Sequence, residues 1–405
     1  MKIILALKTV NYKLWFAILI TKFIPTIYKT IRIYFLGDLP KDNGINIASQ
    51  LEWVNLIYEI VQEALILPLF FLLGQSLNDI YELANKVRTG LLITFIFYLV
   101  VSVVVIIFAK SLVKLMAQSI DLIDQTVVYI RLETVATLFL TLWQFMTCVL
   151  VTIEKDNYMY IVLAIQMVLS VLLDTFLVSN LSCSANIGVN GIAITNIVVN
   201  VIIIIAAIIL LKRENIWLFE KVKWKFAWLK EWFKVGIYSG IESLLRNLSF
   251  MIMVIRMVNV VKEQGNYWIA NNFIWSWMLV PANSLGDLVK KEIGESKNNI
   301  RKKTFGYLML NCIFTLLWIV SIPTWKPFLK IAMNVNEYQT VYNIVLIETF
   351  FYITFLFNSF IIDSTFYGLG KTNYMLIQSI CIDVVYYGIM FILYKTNVFK
   401  PTLKK

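Results

Sequence analysis

Lys22, Lys29 and Arg32 stand inside the first long apolar run of the chain, around the stretch YKTIRIYFLGD that starts at Tyr28. Each Lys or Arg near a bilayer centre costs roughly 2.5–3.5 kcal/mol on an insertion scale, so three unpaired cations nearly cancel the apolar gain of a spanning helix. Partners are required. Glu52, Glu59 and Glu63 in the next run lie seven and four residues apart, which puts them on one line of a helix. Lys22 and Lys29 share a line in the same way, and a short connection makes the two helices antiparallel neighbours. The glutamates are therefore the expected partners. Two roles remain open for the set: structural ion pairing, and handling of substrate or protons.

Other intramembrane charges are Glu133, Asp174, Glu242 and Asp363, with Arg246 one turn after Glu242. Asp174 has no cation near it in sequence, so a functional reading is favoured there. Histidine is absent, which leaves proton chemistry to carboxylates and excludes a His-based metal or nucleophile site. Cys148, Cys183, Cys312 and Cys381 show no CxxC spacing, so neither a disulfide framework nor a thiolate metal site is signalled.

The elements that must position these charges are membrane helices. The 405 residues are 60% hydrophobic and 15% charged, with a mean hydropathy of +0.76, and runs of about 20 apolar residues, each enough to cross a bilayer, recur along the chain. The pattern predicts an all-α integral membrane protein with eleven helices: 13–36, 51–74, 90–115, 125–152, 157–180, 187–211, 233–258, 265–288, 304–325, 338–368 and 372–395. The first is not a cleaved signal, because it is long, holds three cations and lacks a small-residue cleavage pattern.

The net charge of +11 is topological and implies no nucleic-acid partner. With the N-terminus inside, cytoplasmic segments hold about twenty basic residues against six outside. Lys41 counts among the six, and Lys221 and Lys223 among the twenty. The longest polar interruption, KRENIWLFEKVKWKFAWLKEW from Lys212, reads as a linker on the inner membrane surface, with Trp217, Trp224, Trp228 and Trp232 as interfacial anchors.

The halves on either side of the linker echo each other. KDNYMYIVLAIQ from Lys155 recurs as KTNYMLIQSICI from Lys371, and GQSLNDIYELANKVRTG from Gly74 parallels KKEIGESKNNIRKKTFG from Lys290. Such repeats imply two pseudo-symmetric bundles with a substrate site between them. The predicted domains are 1–211 as an N-terminal lobe of six helices, 212–232 as linker, and 233–405 as a C-terminal lobe of five. A twelfth helix is then missing, either from the protein or through truncation, and the terminal lysines, Lys404 and Lys405 among them, would fall outside. GLGKT at 368–372 is no phosphate loop, since Thr365 stands where its first Gly is needed.

Four stretches together resemble the multidrug and toxic compound extrusion (MATE) family, in the wider superfamily that also contains oligosaccharide-lipid flippases: LFFLLGQSLNDIYELANKVRTG, GVNGIAITNIVVN at 188–200, WFKVGIYSGIESLLRNLSF, and YGLGKTNYM from Tyr367. The resemblance implies two lobes working by alternating access, with efflux coupled to sodium or protons and no other cofactor. Asp174 and Thr195 match the family's coupling carboxylate on helix five and threonine on helix six, and Ser170 stands where the family often has Asn. Arg32 takes the place of the family's Asp on helix one, and Arg246 that of the Glu on helix seven, with Glu242 one turn earlier. Asp363 lies closer to Gly368 than the family's helix-ten carboxylate would.

Arg32 is accordingly expected to reach Asp174 and to stand where sodium or a proton sits in relatives, because a guanidinium pairs with carboxylate and keeps its proton. Coupling would pass to Glu59, Glu63, Glu133, Glu242 or Asp363. Pro25 predicts a kink in helix one, either a gate or a static bend. Trp143, Trp268, Trp275 and Trp277 either line a cavity or form interfacial belts. The whole reads as a non-enzymatic, monomeric exporter of small amphipathic organic substrates in the lipid bilayer of the plasma membrane. A lipid or oligosaccharide-lipid flippase is the first alternative and a degenerate, non-transporting membrane protein the second.

Overall fold

A computed structural model describes residues 2–39, 43–153, 155, 157–219, 224–369 and 371–402. Lys41, Lys221, Lys223, Gly370, Lys404 and Lys405, all used in the sequence reading, lie outside them. The described residues contain no strand, and each of the eleven expected segments is helical. They are α1 (Tyr12–Gly37), α2 (Leu51–Leu65, resumed as Leu67–Gly74), α3 (Ile80–Leu115), α4 (Ile123–Thr152), α5 (Asn157–Leu177), α6 (Val189–Arg213), α7 (Leu229–Phe250, running on to Val260), α8 (Gln264–Phe273, resumed as Val280–Glu295), α9 (Asn298–Pro327), α10 (Tyr338–Phe357, running on to Gly368) and α11 (Thr372–Ser379, running on to Lys395). Two short helices, Lys2–Leu7 and Asn43–Ser49, were not legible in the hydropathy.

Eight of the eleven are long and apolar enough to cross a membrane by length and composition. The others are α2, α7 and α8, which carry Glu59 and Glu63, Glu242 and Arg246, and Asp287. The charges cluster where the apolar signal is weakest. α2 is interrupted just before Pro68, whose ring removes a backbone donor. Pro25, by contrast, sits inside an unbroken α1. α3 begins ten residues before its predicted start, because the Asp79 carboxylate caps it, accepting from the Tyr81 and Glu82 amides at 3.0 and 3.2 Å.

The described residues group into two compact units, and chain order does not set the grouping. One unit comprises residues 2–37 and 265–382, so α1 joins α8 to α10. The other comprises 38–264 and 383–401, so α7 joins α2 to α6, together with the end of α11. The division differs from the predicted one at 211 and 233. In the second unit glycines let α7 lie against α2: a Cβ at Gly236 would collide with the Ala64 carbonyl, and one at Gly240 would come within 2.8 Å of the Ala64 side chain. In the first unit α1 is tied to α8 by polar side chains. The Trp15 indole donates to the Pro281 carbonyl at 3.0 Å, Thr26 Oγ1 to the Ser276 carbonyl at 2.9 Å, and the Trp277 indole to Thr30 Oγ1 at 3.0 Å.

The described part of the linker is held on the second unit. Asn85 clamps the Lys225 backbone in both directions, at 3.0 and 2.9 Å. Trp228 donates to Thr89 Oγ1 at 3.0 Å, and the fully buried Trp232 donates to the Leu65 carbonyl at 2.7 Å. Trp224 and Phe226 remain exposed.

Candidate ion and substrate sites

The acidic line of α2 faces α7. Arg246 Nη2 lies 2.6 Å from Glu63 and 3.2 Å from Glu59, and Nη1 donates to both Glu242 oxygens at 3.0 and 3.2 Å. Arg246 Nε donates to Asn247 at 3.4 Å. The i, i+4 spacing of Glu242 and Arg246 brings those two together on one helix face, while the glycine contact with Ala64 brings α2 close enough for its glutamates to reach the same guanidinium. Glu63 and Glu242 are mostly covered, their side chains 15% and 11% exposed. Farther along, the α2–α7 seam continues through a buried amide pair: Gln50 and Asn259 exchange hydrogen bonds at 2.7 and 3.3 Å.

The cations of α1 find a different partner. Lys22 Nζ lies 2.5 Å from Asp287 on α8 and donates to Asn283 Oδ1 at 2.7 Å, and Lys290 reaches the same carboxylate at 3.0 Å. This corrects the expected pairing of Lys22 and Lys29 with Glu59 and Glu63. The glutamates are taken by Arg246, and Lys22 by an aspartate near the end of an apolar run. Lys29 forms no ion pair with the described residues, and its residue is exposed on α1.

The remaining predicted residues fall in separate places. Asp174 and Ser170 on α5 and Thr195 on α6 are all buried in the second unit, 1%, 3% and 0% exposed. Thr195 Oγ1 has no hydrogen-bond partner among the described residues. Glu133 on α4 is buried as well, and Asn196 Nδ2 sits over both its oxygens at 2.9 and 3.1 Å. Arg32, half-buried on α1, belongs to the first unit. Asp363, on a π-helical turn of α10, accepts from Asn358 at 3.4 Å. Of the four tryptophans, Trp143 is buried in the second unit, whereas Trp275 is partly exposed and donates to Tyr352 at 2.9 Å.

Sequence reasoning missed Asp287 and Asp383. The first falls at the very end of its predicted helix, 265–288, beside Lys290 and Lys291. The second lies in the last helix without a neighbouring charge, yet it is only 7% exposed.

The MatE family pattern matches residues 72–176, a span running from the end of α2 into α5. No curated protein matches the chain in sequence. Among solved structures the chain is similar to the Vibrio cholerae MATE transporter VcmN in a mutant form, with a TM-score of 0.71 and 14% identity, covering 97% of this chain and 90% of that one. It is similar to an inward-facing multidrug resistance MATE transporter of the MOP superfamily, at 0.69 and 13%, covering 89% and 84%. It is also similar to a MOP superfamily transporter from Pyrococcus furiosus, at 0.67 and 15%, covering 97% and 90%. The resemblance read from the sequence holds at the level of the fold: the chain is all-α and is similar in fold to these transporters over most of its length, with the MatE pattern over 72–176.

Proposed function

We propose that this MATE-type chain is a secondary active exporter of amphipathic organic compounds, working by alternating access in antiport with protons or sodium. The reading is supported most directly by the buried Asp174, Ser170 and Thr195, which stand on α5 and α6 of a MATE fold. A buried hydroxyl without a hydrogen-bond partner among the described residues, as at Thr195 Oγ1, is costly in a membrane bundle unless something meets it. Residence in the plasma membrane with a cytoplasmic N-terminus, action as a monomer and the absence of enzymatic chemistry belong to the same proposal.

By the resemblance read from the sequence, Arg32 stands where relatives carry an Asp on the first helix. A guanidinium there keeps its proton over the working range, so the proposal favours protons over sodium as the coupling ion, taken up by carboxylates elsewhere. Purified protein in proteoliposomes, loaded with a fluorescent organic cation, tests this under separate sodium and proton gradients. Transport driven by the proton gradient alone is expected. Transport driven by sodium alone would refute the role given to Arg32, as would an Arg32→Ala variant with unchanged expression and transport.

One observation favours a second reading. Lys22 and Lys290 share one aspartate, and Lys29 is left without an ion pair among the described residues, so α1 and α8 carry surplus positive charge suited to an anionic head group. For the Pyrococcus furiosus neighbour, reverse polarity of its binding pocket suggests a different function. If neither gradient drives transport, movement of a labelled anionic lipid across the same vesicles would favour a flippase, and its absence a degenerate relative.

A further inference from the structure

We propose that the short helix Lys2–Leu7 and the first turns of α9 form one basic surface with apolar tips, and that this surface docks on anionic phospholipid head groups. In the orientation proposed above, these belong to the cytoplasmic leaflet. The inference goes beyond the transport reading and needs no transport activity.

Two contacts at matching places in the halves position the surface. Gly90 on α3 and Gly306 on α9 hold the same position in the parallel stretches that start at Gly74 and Lys290. At each glycine, the segment leading into the other half's first helix lies close against the backbone. A Cβ at Gly90 would come within 3.3 Å of the Trp228 ring, and one at Gly306 would collide with the Ala6 carbonyl and come within 2.9 Å of Thr9 Oγ1. Helix Lys2–Leu7 is therefore the counterpart of the linker's end before α7. It is seated on α9 as that end is seated on α3.

The cations at the two corners are spent differently. On α3, Lys86 is buried, 3.1 Å from the Leu72 carbonyl and 3.0 Å from Glu82, and Arg88 is buried as well. On α9, Lys302 holds the place that Lys86 has in the first half, yet it is exposed, as are Lys297 and Arg301. Lys303 turns inward instead, to the buried Glu292 at 2.8 Å. Lys297, Arg301 and Lys302 have no ion pair among the described residues. After Glu295 the sequence has no Asp or Glu before Glu337, and none precedes Asp38. Lys8 and Lys13, on either side of the turn into α1, are exposed too.

Apolar side chains stand among these charges. Ile3, Ile4 and Leu5 are exposed on the short helix and Phe305 on α9, while Val10 is buried. Six residues make a helix about 9 Å long, too short for a hydrocarbon core of about 30 Å. Such a helix lies in the plane of an interface. Cations of one sign with apolar side chains between them fit an anionic leaflet, where phosphates meet the charge and the acyl boundary takes the apolar tips. A neutral leaflet would accept the tips and leave the cations unmet.

The test uses the full chain in lipid nanodiscs, with an environment-sensitive fluorophore on Ile3→Cys and with Cys183, Cys312 and Cys381 replaced by serine. Discs of phosphatidylcholine are compared with discs holding rising fractions of phosphatidylglycerol. A blue shift that saturates with phosphatidylglycerol is expected, and its loss in about 1 M salt, where the Debye length is about 3 Å. Lys297→Gln, Arg301→Gln and Lys302→Gln combined should raise the fraction giving half the response at least several-fold, since each Lys or Arg near such a leaflet strengthens attachment about fivefold. Lys110→Gln, on an exposed pair with Asp124, should leave it unchanged.

The same emission in both kinds of disc overturns the proposal, and so does an undiminished response in the triple variant. A shift produced by soluble polyglutamate and not by phosphatidylglycerol would overturn it in favour of an acidic protein partner. Where the triple variant does not fold, Arg301→Gln alone and the salt dependence of the labelled chain decide the matter in the same way.

Discussion

In α7, Arg246 stands among Glu59, Glu63 and Glu242; in α1, Lys22 stands with Asp287, and a second lysine, Lys290, holds the other side of that carboxylate. The two clusters share a plan and differ in sign. In each, the first helix of one sequence half gives a cation to an acidic residue on the second helix of the other half: α1 to α8, and α7 to α2. The Lys22 cluster has more cations than carboxylates and the Arg246 cluster more carboxylates than cations. One arrangement thus yields two local polarities. An intramembrane charge has to be met somewhere, and here the partner comes from the other half of the repeat rather than from the adjacent helix.

The difference in burial sets the size of the expected effects. Arg246→Ala takes the guanidinium away from the covered Glu63 and Glu242, and breaking such a pair costs about 3–5 kcal/mol when fully buried. With the Arg246 side chain 35% exposed, that figure is an upper bound. The unfolding midpoint and the folded yield in detergent should both fall sharply, and an unchanged midpoint would mean that Arg246 holds nothing together. Gly236→Ala attacks the same cluster through the backbone, because the new methyl meets the Ala64 carbonyl. A loss of about 1–3 kcal/mol is expected from overpacking. Placing α2 farther from α7 should also weaken the coupling between Arg246 and Glu63 in a double-mutant cycle. Lys22→Ala should cost least, about 1 kcal/mol or less, since the Lys22 and Asp287 side chains are 26% and 35% exposed. A Lys22→Ala loss larger than that of Arg246→Ala would reverse the ranking of the two clusters.

Much of the fold was legible because it rests on hydropathy. Eleven apolar runs became eleven helices, with edges shifted where polar residues rather than apolar ones decide them. The early start of α3 carried a readable signal: Asp79 followed three residues later by Glu82 has the spacing of a helix cap. The cluster partners were not legible in the same way. The line of glutamates on α2 was visible, as was the need for each cation to be met, yet helical spacing names a face and not the helix opposite. Sequence adjacency suggested α1 for that face, and the tight Gly236 and Gly240 contact gave it to α7. Asp287 stood at the end of its predicted helix, next to the basic loop from Lys290, and Asp383 had no local partner to mark it. Ser170 and Thr195 were found through family resemblance, and Asp174 through that and as an intramembrane charge; all three are buried in one unit.

The pairing of each half's first helix with the other half's second is the central claim, and two double-mutant cycles test it most directly. Thermal unfolding in detergent is measured for Lys22→Ala, Asp287→Ala, Glu59→Ala and the two doubles that combine Lys22→Ala with each acidic change. A coupling energy of about 0.5–1 kcal/mol is expected between Lys22 and Asp287, and none between Lys22 and Glu59. Coupling of Lys22 to Glu59, with additivity between Lys22 and Asp287, would contradict the account.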